Sequence, residues 1–176
     1  PLVTGDKVFA ARASRAEVQF DHSNFARLGE NTEIKMADLE NQRYQVQVSR
    51  GIVTYRILRG ATAEVEINTP AVAVRPLKRG SYRIEVAENG QTEITVRDGE
   101  AEVFSTHGTE RLEEGRTMTA RLGATDRQVE VQVARAAGRD DWDRWNERSD
   151  QQLERSQSRR YVHESVWGVY DLDDYG

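Results

Sequence analysis

The sequence predicts a mostly β fold of many short strands joined by glycine turns, either β-solenoid-like or a sandwich, with one C-terminal helix and an aromatic tail. Three patterns carry that prediction. Apolar and polar residues alternate through most of residues 46–133, the two-residue period that sends neighbouring side chains to opposite faces of a strand. Glycines punctuate the same stretch at Gly51, Gly60, Gly80, Gly90, Gly99, Gly108, Gly115 and Gly123, mostly seven to ten residues apart, which leaves room for one short strand and one turn each time. After Gly138 the alternation stops and a polar, tryptophan-bearing stretch begins.

In the central region Val65 and Ile67, then Tyr82, Ile84 and Val86, then Ile94 and Val96, then Ala101 and Val103, and finally Val129, Val131 and Val133 are expected to face inward. Val and Ile dominate that set, as strands prefer. Asn89-Gly90 and Asp98-Gly99 are the strongest hairpin signals, because both dipeptides tolerate positive φ. Thr69-Pro70 marks a bend or an edge, since proline cannot donate to a ladder. Residues 7–9, 16–20, 24–28 and 32–36 follow the same logic between turn signals at Asp21-His22-Ser23 and Gly29-Glu30-Asn31. The total comes to roughly ten to twelve short strands.

The three segments expected are a β domain over residues 1–138, a polar helix over 139–158 and an aromatic, acidic tail over 159–176. Asp140, Asp141 and Asp143 suit the first turn of that helix, where carboxylates face the positive end of the dipole. Its apolar positions, Trp142, Trp145 and Leu153, form only a thin stripe, so the segment cannot build a core of its own. It is expected to dock through its tryptophans, on its own β body or on a neighbouring copy.

Charge narrows the function classes. Residues 1–139 carry 20 of the 25 Lys plus Arg and 20 of the 30 Asp plus Glu, so the net charge of −5 falls on residues 140–176. A neutral body with an acidic tail argues against nucleic acid as partner. No run approaches the roughly 18 to 20 apolar residues that cross a bilayer as a helix. The absence of cysteine removes disulfides, thiolate nucleophiles and sulfur-ligated metals. Residue 1 is proline and the opening reads as a strand approach and turn, so the natural start is expected upstream and the tail is expected to continue beyond Gly176.

Catalytic and metal patterns are weak. His22, His107 and His163 are far apart and lack ligand spacing. Glu64, Glu66, Glu85, Glu93 and Glu102 take outward strand positions, where cross-strand pairing with arginines such as Arg83 and Arg97 explains them. Asp171, Asp173 and Asp174 echo a calcium loop without its closing glutamate, and Asp140, Asp141 and Asp143 read more simply as a helix start. No nucleophile elbow, phosphate loop or dinucleotide fingerprint is present. The expectation is no enzyme, no cofactor and no metal. The candidate interaction residues are Trp142, Trp145, Tyr161, Trp167 and Tyr170, whose rings suit a protein surface or an envelope polysaccharide or, alternatively, staple the tail to the β body.

Several segments in order resemble the FecR-type domain: Gly5-Asp6-Lys7-Val8, Ser14-Arg15-Ala16-Glu17-Val18, the stretch from Phe25 to Ile34, Gly51-Ile52-Val53, Ile67-Asn68-Thr69-Pro70, Arg79-Gly80-Ser81-Tyr82 and Val96-Arg97-Asp98-Gly99-Glu100, with Gly115 at the closing turn. The resemblance spans residues 5–123. It implies an extracytoplasmic β module, periplasmic or extracellular, of the bacterial envelope. It is similar to the secreted or envelope-associated kind rather than to the membrane-spanning regulators that hold an anti-σ segment, so σ-factor regulation does not transfer. Two functions follow from it: binding or signalling through a protein partner or envelope polymer, or a structural subunit that self-associates into a surface filament or scaffold through unpaired strand edges.

Overall fold

The computed structural model describes residues 1–40, 42–123 and 128–160, and divides into a β unit, Pro1–Ala137, and a second unit that begins at Gly138. The β unit contains thirteen strands: β1 (Lys7–Ala10), β2 (Ala16–Gln19), β3 (Asn24–Leu28), β4 (Thr32–Asp38), β5 (Arg43–Ile57), β6 (Glu64–Asn68), β7 (Ala73–Pro76), β8 (Gly80–Val86), β9 (Thr92–Asp98), β10 (Glu100–Ser105), β11 (Gly108–Glu113), β12 (Arg116–Leu122) and β13 (Val129–Arg135). The second unit holds α1 (Asp141–Arg160).

All thirteen strands belong to one hydrogen-bonded sheet, curled so that it has two faces. One face runs β1, β4, β5, β6, β7, β10, β11 and the other β2, β3, β5, β8, β9, β12, β13. Both orders rise with the sequence, so the chain winds steadily along the body, laying down strands on one face and then the other. That advance is solenoid-like, and the two-faced core is that of a sandwich. Every pairing is antiparallel except β5 with β6.

Strand β5, at 15 residues, belongs to both faces. Its first half pairs with β4 and β6, and its second half with β3 and β8. Val46 and Val48 point inward from the first half; Val53, Tyr55 and Ile57 do so from the second, so the inward set changes from even to odd. The change falls where the β4 ladder skips Ser49, passing from Val48↔Ile34 to Arg50↔Glu33. One extra residue is what reverses a two-residue period, and it lets a single strand feed the core on both faces. Gly51 follows with φ of 90°. A Cβ there would lie 2.3 Å from Thr32 Oγ1 and 2.6 Å from Thr32 Cα, so the bend requires glycine for its conformation and for its closeness to β4. Thr32 secures it by accepting the Ile52 N–H at 2.9 Å on its hydroxyl.

One core fills the space between the faces. Val65, Ile67, Ile84, Val86, Ile94, Val96 and Val103 are all buried, together with Ile34, Met36, Val74, Leu112 and Met118, and the alternating glutamates face outward. Each such aliphatic side chain contributes about 1.5–3 kcal/mol when fully withdrawn from water. Three expectations need correction. Val131 is only half-buried and Val133 is 41% exposed, because β13 is the last strand of its face and runs out past the core. Asp98-Gly99 does not close a hairpin: β9 pairs with β8 and β12, β10 with β7 and β11, and the dipeptide is a corner that carries the chain from one face to the other. Glu85 stands directly opposite Glu93 and not an arginine; Arg83 pairs with Glu85 along its own strand, and Arg97 donates to the Ala137 carbonyl. Cross-strand pairing does hold for Glu66, 3.5 Å from Arg75, and Glu102 stands opposite both Arg75 and Arg111.

The crossing at Gly51 makes a direct prediction. Gly5 also has positive φ, 98°, but nothing lies within 4 Å of its missing side chain. Gly5→Ala is expected to cost about 1–2 kcal/mol, the conformational term alone. Gly51→Ala adds the collision with Thr32 and is expected to cost about 3 kcal/mol or more. Urea denaturation of both variants checks this; equal losses would mean that the crossing is not sterically fixed.

Candidate interaction surfaces

In the second unit the chemistry of the sequence organises the start of α1. The Asp140 carboxylate accepts the Asp143 N–H at 3.0 Å, and the Asp143 carboxylate accepts the Asp140 N–H at 3.2 Å. This reciprocal cap satisfies donors that the first helical turn leaves open, and it puts negative charge at the positive end of the helix. Asp141 pairs with Arg144 at 2.6 Å, so all three aspartates take part in the start of the helix. One turn further on, the rings of Trp142 and Trp145 stack on each other with centroids 5.1 Å apart and planes 28° from parallel. Three-residue spacing on a helix makes that contact. Asn146 and Ser149 donate to the carbonyls of Trp142 and Trp145 at 2.8 and 3.0 Å and tighten the same face. Tyr161, Trp167 and Tyr170, with His163, Asp171, Asp173 and Asp174, lie outside the described residues.

Two constellations in the β unit were not legible as sites. The first surrounds Asp21. Its carboxylate accepts the Ser23 N–H at 2.7 Å, the Asn24 amide at 2.9 Å and the Tyr44 hydroxyl at 3.0 Å. Phe20 packs against Tyr44 and Tyr55 with centroids 5.2 and 5.6 Å away, and the Tyr55 hydroxyl reaches Asn24 Oδ1 at 3.4 Å. Asp21-His22-Ser23 signals only a turn in sequence; Ser23 and Asn24 are local partners, but Tyr44 comes from β5, more than twenty residues on. The second is Tyr82, fully buried at the corner where β7, β8, β9 and β10 change faces. Its hydroxyl donates to the Lys78 carbonyl at 2.5 Å, lies 3.0 Å from the Glu100 carbonyl and accepts the Glu100 N–H at 3.3 Å. Gly99 makes room for it, since a Cβ there would sit 2.4 Å from that hydroxyl.

The winding leaves open strand edges. At its C-terminal end β11 closes one face and β13 the other, with a groove of about 640 Å³ beside them lined by His107, Glu110, Arg121, Val129, Val131 and Gln132, among others. His107 sits in the β10–β11 turn and His22 in the turn before β3. Among the described residues no three His, Cys, Asp or Glu side chains gather closely enough to hold a metal ion, and no helix is long and apolar enough to cross a membrane.

A β body that advances along two faces, turns on glycine corners and ends in open edges belongs to the class of strand-wound, mostly β modules. The family comparison is specific: the FecR protein model matches residues 6–102, more than half of the chain, and the chain belongs to the FecR family. Two crystal structures of a candidate anti-sigma factor from Parabacteroides distasonis share the fold, with TM-scores of 0.61 and 0.62 at 16% and 15% identity. Each comparison covers 74% of this chain, which spans 59% of the length of those solved chains. No curated protein matches the sequence.

The buried tyrosines set an alkaline limit. Burial is the first cause that raises the pKa values of Tyr44, Tyr55 and Tyr82, with the nearby Asp21 carboxylate adding to it for the first two. With folded values above unfolded ones, the unfolded chain loses its phenolic protons first as pH rises. Stability is therefore full below the ordinary tyrosine value of about 10 and falls as pH climbs beyond it. Tyr82→Phe is expected to cost about 1–3 kcal/mol at neutral pH through its lost hydrogen bonds. The same variant should flatten the alkaline decline by one proton. Denaturation from pH 7 to 11 checks both, and an unchanged slope would exclude Tyr82 from the linkage.

Proposed function

We propose that this chain is a non-enzymatic, extracytoplasmic binding and signalling module of the bacterial envelope, periplasmic or extracellular, that works by contact with a protein partner. The observation that carries the reading is the FecR family match over residues 6–102. The solved relatives described as anti-sigma factors support a regulatory role, and the neutral β body with its acidic C-terminal segment speaks against nucleic acid. Trp145, half-buried and stacked on the buried Trp142, is the described candidate anchor, and Tyr161, Trp167 and Tyr170 are further candidate contact residues; aromatic rings give contact area at low entropic cost, to a protein first and to an envelope polysaccharide second. The second reading, a structural subunit of a surface filament or scaffold, draws on the open edges of β11 and β13.

An in-frame deletion of residues 6–135 in the native gene separates the two. The signalling reading expects a defined set of transcripts to change, with cell-surface structures unaltered. Loss of a surface assembly with no change in transcription would reject it in favour of the structural reading.

A further inference from the structure

We propose that β13 is a self-recognition edge, on which two copies of the chain pair antiparallel about a two-fold axis at Gln132 and join two β faces into one continuous sheet. The proposal goes beyond the signalling reading and stands or falls separately from it.

The four outer strands of the two faces are β1, β11, β2 and β13, and they differ in how well they resist pairing. β1 and β2 are only four residues long. β11 carries Glu110 opposite inward-facing Val103, a charge on the core side that an added strand would have to cover. β13 has seven residues, Val-Glu-Val-Gln-Val-Ala-Arg, with no proline, no lysine, no break in its ladder with β12, and its one core-side charge, Arg135, at the last position rather than mid-strand. Its exposure rises steadily along the strand: Val129 is 2% exposed, Val131 is half-buried and Val133 is 41% exposed. The apolar row thus begins in the core and ends in water, and beyond Val129, whose N–H donates to Thr106 Oγ1 at 3.2 Å, the outer edge of β13 offers backbone donors and acceptors.

The sequence of β13 is complementary to itself in one central register. Gln132 is the midpoint of the strand, and an axis there pairs Glu130–Ala134 of the two copies while Val129 keeps its contact with Thr106. Val131 then faces Val133 of the second copy and Val133 faces its Val131, which brings four valines together on the core side and covers the two that are exposed. On the outer side Gln132 meets Gln132, amide to amide, and Glu130 meets Ala134. No like charges stand directly opposite in this register. An axis one residue on, at Val133, gives a ladder of the same length but sets Arg135 against Val131 on the core side, which the central register avoids. Because the pair is isologous it closes at two copies and does not propagate into a fibre.

The absence of cysteine permits a clean test. Across an antiparallel pair the two Gln132 Cα atoms would be about 4.5–5.5 Å apart, within the reach of a disulfide, which is about 4.4–6.8 Å. Glu130 and its own copy would be roughly 13 Å apart, as would Ala134 and its copy. Gln132→Cys is expected to oxidise to a covalent dimer under oxidised glutathione, while Glu130→Cys and Ala134→Cys cross-link only when mixed with each other. Sedimentation velocity on the full chain should show a monomer–dimer equilibrium that Val133→Lys shifts to monomer, with the circular dichroism spectrum unchanged. A wild-type chain that stays monomeric at high micromolar concentration would overturn the proposal. So would a dimer that survives Val133→Lys, or self-cross-linking at residue 130 or 134 as fast as at 132.

Discussion

One strand has to serve two faces, and the β unit depends on how β5 does so. Its first half lies between β4 and β6, its second between β3 and β8, and the pairing partners of both faces grow outward from it. A strand of fixed alternation would place valines in the core on one face and outside it on the other. The skipped residue at Ser49 and the positive φ at Gly51 reverse the alternation, so that Val48 and Val53 both reach the same core.

The later passages between faces are held by polar contacts at the corners. Tyr82 ties the approach to β8 to the start of β10 through the backbone at Lys78 and Glu100. Thr69 closes the turn between β6 and β7 by accepting the Val72 N–H at 3.1 Å, and it receives the Thr92 hydroxyl of the other face at 3.1 Å. Such bonds contribute modestly one by one, but each satisfies a buried group that would be costly if left alone. Corners of this kind fix the direction in which the next pair of strands leaves, and the regular rise of strand order on both faces is the result.

Much of this was legible in the sequence because strand alternation is a local signal. Val65, Ile67, Ile84 and Ile94 declare their side of the sheet by spacing alone, and Asn89-Gly90 closes the β8–β9 hairpin as its turn chemistry suggests. The order of the weak motifs also carried the family. What local spacing does not contain is which strand lies beside which. Asp98-Gly99 has the same turn chemistry whether it closes a hairpin or a corner, and only the pairing of β9 with β12 and β10 with β7 separates the two. Val133 keeps perfect alternation yet lies outside the core, because burial depends on the opposite face extending that far. Asp21 and Tyr44 form a bond across 23 residues that neither neighbourhood announces. The tryptophan pair lies between these cases: spacing of three places both rings on one helix face, but their stacking is a fact of the structure.

A module with one shared strand has no natural seam between its faces. Native-state hydrogen exchange along β5 tests it most directly. If the crossing at Gly51 binds the two faces into one cooperative unit, the slowest amides on both sides of it, around Val46–Val48 and Val53–Ile57, will exchange with a single free energy equal to that of global unfolding. Two distinct opening energies, one for each half of β5, would contradict the account.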